Sequence, residues 1–173
     1  MLLLDALLSR LPPRPISGVV DEAAHLATGA VVLAAWPASK HDFVGGLAAG
    51  SVLIDADHVP ELWGRGWLRP PGVRPVPHSL VTPGLALWRA ERTRSGFARG
   101  VGVGLAGHLL RDLATGRTGV ALLWPLTRRP FRIRYRTYTA LLAVLAGVAA
   151  GTPAPRRVGP SPPAPTPVPA PQP

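Results

Sequence analysis

The sequence predicts an all-α protein: a membrane-associated bundle of about five helices that ends in a disordered, proline-rich tail. Three observations support this fold class. The chain of 173 residues is 47% hydrophobic with a mean hydropathy of +0.21, which is high for a soluble protein of this length. Several polar-poor segments are joined by arginine-bearing loops. From residue 152 onward proline and alanine dominate, and such a composition forms neither a helix nor a core.

Three parts are expected along the chain: an N-terminal amphipathic or anchoring segment (1–15), a helical membrane domain (16–151) and the disordered tail (152–173). The first segment is apolar but carries Asp5, and it lacks the basic start and the small-residue cleavage site of a signal peptide. We therefore expect an interfacial helix there.

Charged and helix-breaking residues delimit the helices of the central domain. Asp21 and Glu22 favour a helix start, and Pro37 ends that helix near residue 36. The other helices are expected at about 43–54, 79–89, 97–114 and 137–150. Most apolar runs are shorter than the roughly 20 residues that a membrane span needs, so core helices of a soluble bundle remain an alternative.

Glycines cluster in two of these helices. In a water-exposed helix each would cost about 1 kcal/mol relative to alanine, whereas they suit helices that pack closely. The sequence therefore predicts close helix contacts at Gly45, Gly46 and Gly50, and at Gly100, Gly102, Gly104 and Gly107.

The formal net charge of +10 comes almost entirely from arginine, since Lys40 is the only lysine. Two kinds of partner fit a positive charge: nucleic acid or an anionic lipid surface. The distribution favours lipid, because Asp112 is the last acidic residue and an arginine-rich run at 128–136 closely precedes the apolar run 140–150. A solvated charged loop is the alternative for this run. The lack of cysteine excludes disulfides and thiolate zinc sites.

Four of the five histidines stand beside carboxylates or in apolar helix-forming runs, a pattern typical of a metal site with nitrogen and oxygen ligands. His108 and Asp112 are four apart on a predicted helix, so their side chains share one face. Asp55 and His58 are three apart at a helix end. A buried ionisable group such as His25 is costly in an apolar helix unless it pairs or binds metal. The expected metal ligands are His25, Asp55, His58, His78, His108 and Asp112.

Each feature also has an ordinary structural explanation. A His-x-x-x-Asp pair often makes only a helical hydrogen bond, and a lone His25 would more often be a core histidine with its hydrogen bonds made. Asp55 and His58 fit a solvated helix end, and Ser79 fits an N-cap. His41 lies outside the pattern and is expected to be a loop residue that binds nothing.

Four separate motifs occur in a defined order between about residues 20 and 127. They are HLATG at 25–29, LAAGSVLIDADH at 47–58, HS at 78–79 and GHLLRDLAT at 107–115, followed by WPL at 124–126. Their order and spacing resemble the membrane-bound, metal-dependent hydrolases of the YdjM type, which are LexA-binding and associated with the inner membrane.

The resemblance implies a small helical protein of the bacterial inner membrane, multi-pass or tightly associated, with a divalent-metal site of histidines and aspartates. Zinc is the first expectation and manganese the second, and six ligands suggest two ions. The site would activate water toward an ester or phosphoester, with a lipid-linked substrate as one case and Asp55 and Asp57 as catalytic carboxylates. Arg111 and Arg74 are the candidates for contacting a substrate phosphate or headgroup; Arg111 alternatively faces lipid headgroups.

The loop before His78 departs from the family pattern. Members usually carry Arg-Gly-x-Thr there, whereas this chain has Arg74-Pro75-Val76-Pro77. A proline common before the first aspartate of the acidic motif is Ile54 here. These changes affect the geometry of the loop, while every candidate ligand is present.

Two other functions stay open. In the first, the chain is a non-catalytic membrane protein whose His/Asp cluster is a structural metal site or polar network and whose tail recruits a protein partner. A structural site would fill every coordination position with protein groups. In the second, the arginines bind nucleic acid; this function is disfavoured and would not need the histidines.

Overall fold

Six α-helices make up nearly all the regular structure of the described residues. The computed structural model describes residues 2–8, 10, 16–35, 41–58, 76–116 and 118–151. The helices are α1 (Leu2–Leu8), α2 (Ile16–Ala34), α3 (His41–Val52), α4 (Val81–Thr93), α5 (Gly96–Thr115) and α6 (Tyr135–Gly151). Two 3-10 helices, Leu53–His58 and Val76–His78, follow α3 and precede α4.

The all-α prediction is confirmed. Helices α2 to α6 are the five expected helices, and α1 lies in the expected N-terminal segment. Across the described ranges the β-structure amounts to an isolated bridge between Val120 and Phe131. The predicted disordered tail, and most of the predicted loop at 59–77, lie outside the described residues.

One predicted helix start is wrong, and Ser79 is not the N-cap that its position suggested. Helix α2 begins at Ile16, directly after the proline-rich stretch, so Asp21 lies in its second turn rather than its first. At α4 the N-cap is Leu80, with no side-chain cap hydrogen bond, while Ser79 is buried. Helix α4 therefore begins without a polar N-cap.

Helices α3 and α5 pack so closely that their glycines meet the facing backbone. A Cβ atom built on Gly46 would lie 2.1 Å from the carbonyl oxygen of Phe97. Cβ atoms on Gly50, Gly100 and Gly104 would likewise lie 2.1–2.3 Å from backbone oxygens of the other helix. Any side chain there would push the helices apart, so the predicted close contact is confirmed for these four glycines.

An apolar cluster joins the 3-10 helix after α3 to one face of α5. Leu105, Leu109 and Leu113 are four residues apart on α5, and they are buried together with Ile54 and Val120. Ile54 directly precedes the first candidate aspartate in the chain, and Leu113 directly follows the last. The core therefore brings two distant acidic positions to the same place.

The longest of the described helices are α5, with 20 residues, and α2, with 19. In the part of the chain that the structure describes, no helix is both long enough and apolar enough to cross a membrane.

Candidate metal centre

Five of the expected ligands meet where α2, α5 and the two 3-10 helices come together. His25 lies in α2, and His108 and Asp112 are one turn apart on α5. Asp55 lies in the 3-10 helix after α3, and His78 ends the one before α4. Each of the three histidines is 1% exposed and Asp112 is 3% exposed, so the cluster is removed from solvent.

The Nε2 atoms of the three histidines approach the same two carboxylates. His108 Nε2 lies 3.4 Å from Asp112 Oδ2 and 3.5 Å from Asp55 Oδ1. His78 Nε2 lies 3.0 Å from Asp55 Oδ1 and 3.6 Å from Asp112 Oδ2. His25 Nε2 lies 3.7 Å from Asp112 Oδ1 and 4.0 Å from Asp55 Oδ2.

These separations suit donors that share a cation. Two ligands that each lie about 2.1 Å from one ion, at angles of about 90–109°, are about 3.0–3.4 Å apart. The cluster contains two overlapping sets of three such ligands that share His108, and within each set the donor atoms lie within 4.8 Å of one another. The sets are His25, His108 and Asp112, and Asp55, His78 and His108. Either set could hold a metal ion.

Some of the buried nitrogens lack a hydrogen-bond partner among the described residues. These are the two ring nitrogens of His25. A buried polar atom without a partner costs about 1–3 kcal/mol, and coordination to a cation would remove that cost. The donor set therefore fits a divalent metal.

A backbone carbonyl orients His108. Its Nδ1–H donates a hydrogen bond to the carbonyl oxygen of Ser51 at 2.8 Å, since that oxygen can only accept. In the neutral ring this leaves the Nε2 lone pair directed at the carboxylates, as in metal-binding histidines whose other nitrogen is held by a carbonyl. The ring also stacks on His25, with centroids 3.6 Å apart and planes 7° apart.

The two stacked rings differ in charge. Burial, with the charge on His108 as the next cause, lowers the pKa of His25 to about 3, so this ring is neutral at pH 7. Burial also opposes charge on His108, but hydrogen bonds and attraction from Asp112 and Asp55 outweigh it and raise the pKa of His108 to about 10. Burial favours the neutral form of Asp55, yet hydrogen bonds with His108 and His78 hold its pKa far below the usual range.

Glu22 of α2 lies against the cluster. The sequence had predicted only that this residue lies in the first turn of a helix. Its carboxyl group hydrogen-bonds with Asp55, and its Oε2 atom is buried without a partner in the described part of the chain. Burial, followed by the charge of Asp55, raises the pKa of Glu22 to about 7. The one available signal was its position three residues before His25, which places both on one face of the helix.

Arg111 is completely buried and engages two carboxylates. It donates a hydrogen bond from Nη1 to Asp5 Oδ1 at 2.6 Å and one from Nη2 to Asp21 Oδ1 at 3.0 Å. Tyr135 donates to the other oxygen of Asp5. This network ties α1 to α2, α5 and the start of α6. Asp21 Oδ1 also lies 4.0 Å from His25 Nε2, so the network borders the metal cluster.

Three further predicted site residues lie outside what the structure describes. They are the side chains of Asp57 and His58, at the end of the 3-10 helix after α3, and the whole of Arg74. Their roles stay predictions.

The family described as YdjM inner membrane protein matches the chain over residues 20–162. The chain belongs to this family. The match includes all five clustered ligands, and it confirms the resemblance drawn from the four motifs. Membership places the chain among inner membrane proteins. No curated protein and no solved structure matches the chain.

Proposed function

We propose that this member of the YdjM family is a membrane-bound, metal-dependent hydrolase that acts on an ester or phosphoester. One observation carries the proposal: three buried histidine Nε2 atoms converge on Asp55 and Asp112 within 4.0 Å. Membership in an inner membrane family supports a substrate in or near the bilayer, such as a phospholipid or a lipid-linked phosphate.

The five clustered side chains would hold the cation, and His58 is a further ligand in the proposal. Zinc is the first choice and manganese the second, because imidazole and carboxylate donors suit both. A cation held by these residues would polarise the oxygen of a scissile ester or phosphoester and would lower the pKa of a bound water molecule.

The proton released by the attacking water needs an acceptor among the protein's own side chains. Asp57 and Asp55 are the carboxylates proposed from the sequence, and Asp55 also contacts His78 at 3.0 Å as a ligand would. Glu22 adds a third candidate, because its carboxyl group hydrogen-bonds with Asp55 while its buried Oε2 atom has no partner among the described residues.

Arg74 is the candidate that we retain for contacting the substrate phosphate. Arg111 was proposed for the same role, but in the structure its guanidinium is buried and is shared between Asp5 and Asp21. An arginine held in this way stabilises the ligand-bearing helix next to Asp112 and has no exposed edge for a substrate.

A structural metal site is the second candidate function. The number of protein donors favours it, since five side chains around one position would fill most of the coordination shell of a single ion. In that case the cation would join α2, α5 and the two 3-10 helices, and the tail would recruit a partner.

The test is a metal count on the full chain, purified in mild detergent without chelator, by mass spectrometry. We expect about one or two ions of zinc or manganese per chain, and loss of metal in the His108→Ala, Asp112→Ala double variant. His41→Ala is the matched control, because His41 is exposed at the start of α3 and should leave the metal content unchanged.

The metal-loaded protein is then assayed on phosphodiester, phosphomonoester and acyl-ester substrates and on phospholipid vesicles. Turnover lost with the metal supports the hydrolase. Stoichiometric metal without turnover on any substrate supports the structural site, and no metal after supplementation contradicts both.

A further inference from the structure

The first half of α4 exposes an apolar stripe. Val81, Leu85 and Trp88 are 39%, 59% and 59% exposed, and their spacing of four and three residues places them on one side of the helix. Pro83 and Ala90 lie on the opposite side and are buried. The helix therefore packs into the bundle by one face and presents an apolar face outward.

Arginines surround the far end of this stripe. Arg92 lies one helical turn after Trp88 on the same side of α4, and its guanidinium carbon lies 5.5 Å from the centroid of the Trp88 ring. Arg89 is exposed beside it. Glu91 is the one acidic residue in the sequence of α4, and it pairs with Arg99 at 3.0 Å. The end of the stripe is therefore positively charged.

The apolar surface continues beyond the helix. The backbone N–H of Leu80 donates to the carbonyl oxygen of Leu122 at 2.9 Å, so the start of α4 adjoins the segment that follows α5. Leu80, Leu123 and Leu126 are 50%, 42% and 89% exposed. Adjoining exposed apolar side chains of this kind mark interaction surfaces.

We propose that α4 lies in the plane of an anionic membrane surface. Its stripe would enter the acyl-chain boundary, Trp88 would sit at headgroup level, and Arg89 and Arg92 would contact lipid phosphates. Extended arginine side chains suit this position, because their stems cover apolar surface while the guanidinium reaches the headgroups.

Charge selects lipid over a second copy of this chain. Two copies joined through the stripe would bring the same arginines together if their α4 helices were parallel, and like charges at an interface are unfavourable. With antiparallel helices, each pair of arginines would instead face the apolar start of the other stripe without an acidic partner. Anionic phosphates complement them, and the family is one of inner membrane proteins. The inference does not depend on the proposed hydrolase activity, but it would place His78, three residues before Val81, close to the bilayer surface.

The natural chain has no cysteine, so one introduced cysteine gives a single labelling site. A nitroxide is attached at Leu85→Cys, with Val81→Cys as a second stripe position. Thr93→Cys is the matched control on the same helix, exposed and about 140° around it from Trp88. The labelled full chain is bound to vesicles of phosphatidylcholine and phosphatidylglycerol. Electron spin resonance then compares accessibility to oxygen with accessibility to a water-soluble nickel chelate.

We expect the oxygen-to-nickel accessibility ratio to be several-fold higher at both stripe positions than at Thr93, and to fall when Arg89 and Arg92 are both changed to glutamate. Equal ratios at the stripe and control positions would overturn the proposal. A stripe label shielded from both agents, with spin–spin broadening, would show a second copy on this face and would also overturn it. An unchanged ratio after charge reversal would contradict the role given to the arginines.

Discussion

The Nε2 atom of His108 lies 3.4 Å from Asp112 Oδ2, one turn further along α5, and the two side chains are 0% and 5% exposed. Helical spacing alone accounts for this closeness. The direction of the histidine does not follow from the spacing, because the carbonyl of Ser51, on the neighbouring helix α3, holds its Nδ1 atom. The pair supplies two of the five clustered ligands, and α2 and the two 3-10 helices supply the other three.

Binding of zinc to the metal-free protein should release a proton from His108. Its pKa is raised to about 10, so the ring is charged at pH 7 and must lose a proton before Nε2 can bind a cation. Zinc affinity should therefore increase roughly tenfold from pH 7 to pH 8, the slope for one competing proton. Calorimetry in two buffers of different ionisation enthalpy measures the proton number, and a value near zero at pH 7 would contradict this prediction.

The Glu22→Gln substitution should preserve metal content and strongly reduce hydrolysis. Glutamine keeps the size of the side chain but cannot accept the proton that we assign to Glu22. With the pKa of Glu22 raised to about 7, activity of the natural chain should rise with pH through about 7, since the ionised form is the base. Glutamine should abolish that rise. Loss of metal in Glu22→Gln would instead indicate a ligand.

The Arg111→Met substitution should lower the free energy of unfolding by up to about 3 kcal/mol, because it leaves the largely buried carboxylate of Asp5, 14% exposed, without its cation. Combining it with Asp5→Asn should restore part of this loss. Chemical unfolding in mild detergent provides the measurement, and Arg128→Met, at an exposed arginine, is the control with little expected change. Equal effects of Arg111→Met and Arg128→Met would show that the buried network contributes nothing.

Two neighbouring glycines should respond in opposite ways to alanine. A Cβ atom on Gly46 would lie 2.1 Å from the carbonyl oxygen of Phe97, so Gly46→Ala should destabilise the protein by about 1–3 kcal/mol or more. A Cβ atom on Gly45 would have no other atom within 4 Å, so Gly45→Ala should be neutral or stabilising by up to about 1 kcal/mol. Thermal unfolding of both variants tests this, and similar melting temperatures would count against close packing of α3 and α5.

Much of the helical framework was predictable because its signals are local. Apolar runs bounded by prolines and charged residues predicted α3, α5 and α6 to within about two residues at each end. The predicted start of α2 was wrong by five residues. Asp21 pairs with Arg111 and Glu22 hydrogen-bonds with Asp55, so neither acidic residue marks the first turn of the helix. A single sequence does not distinguish an acidic residue in the first turn of a helix from one that faces a functional site.

In the candidate site, too, local sequence predicted some features and tertiary contacts set the others. Spacing on α5 predicted that His108 and Asp112 share a face, and the order of the motifs indicated the remaining ligands. That His25, Asp55 and His78 join His108 and Asp112 was supported by the family resemblance. For Asp55 the physical cause is the packing of the preceding residue, Ile54, against α5. No local pattern contains a contact between residues so far apart in the chain.

The sequence by itself determined most of the helices, the close-packed glycines other than Gly45 and Gly107, and the set of side chains able to bind a metal, because these depend on residue type and on spacing within one element. Tertiary structure alone decided that Arg111 is buried between two carboxylates, that Glu22 lies against Asp55, and that Ser51 orients His108. Whether a polar side chain faces solvent, a ligand or another charge depends on which helix covers it, and that covering is a property of the assembled bundle.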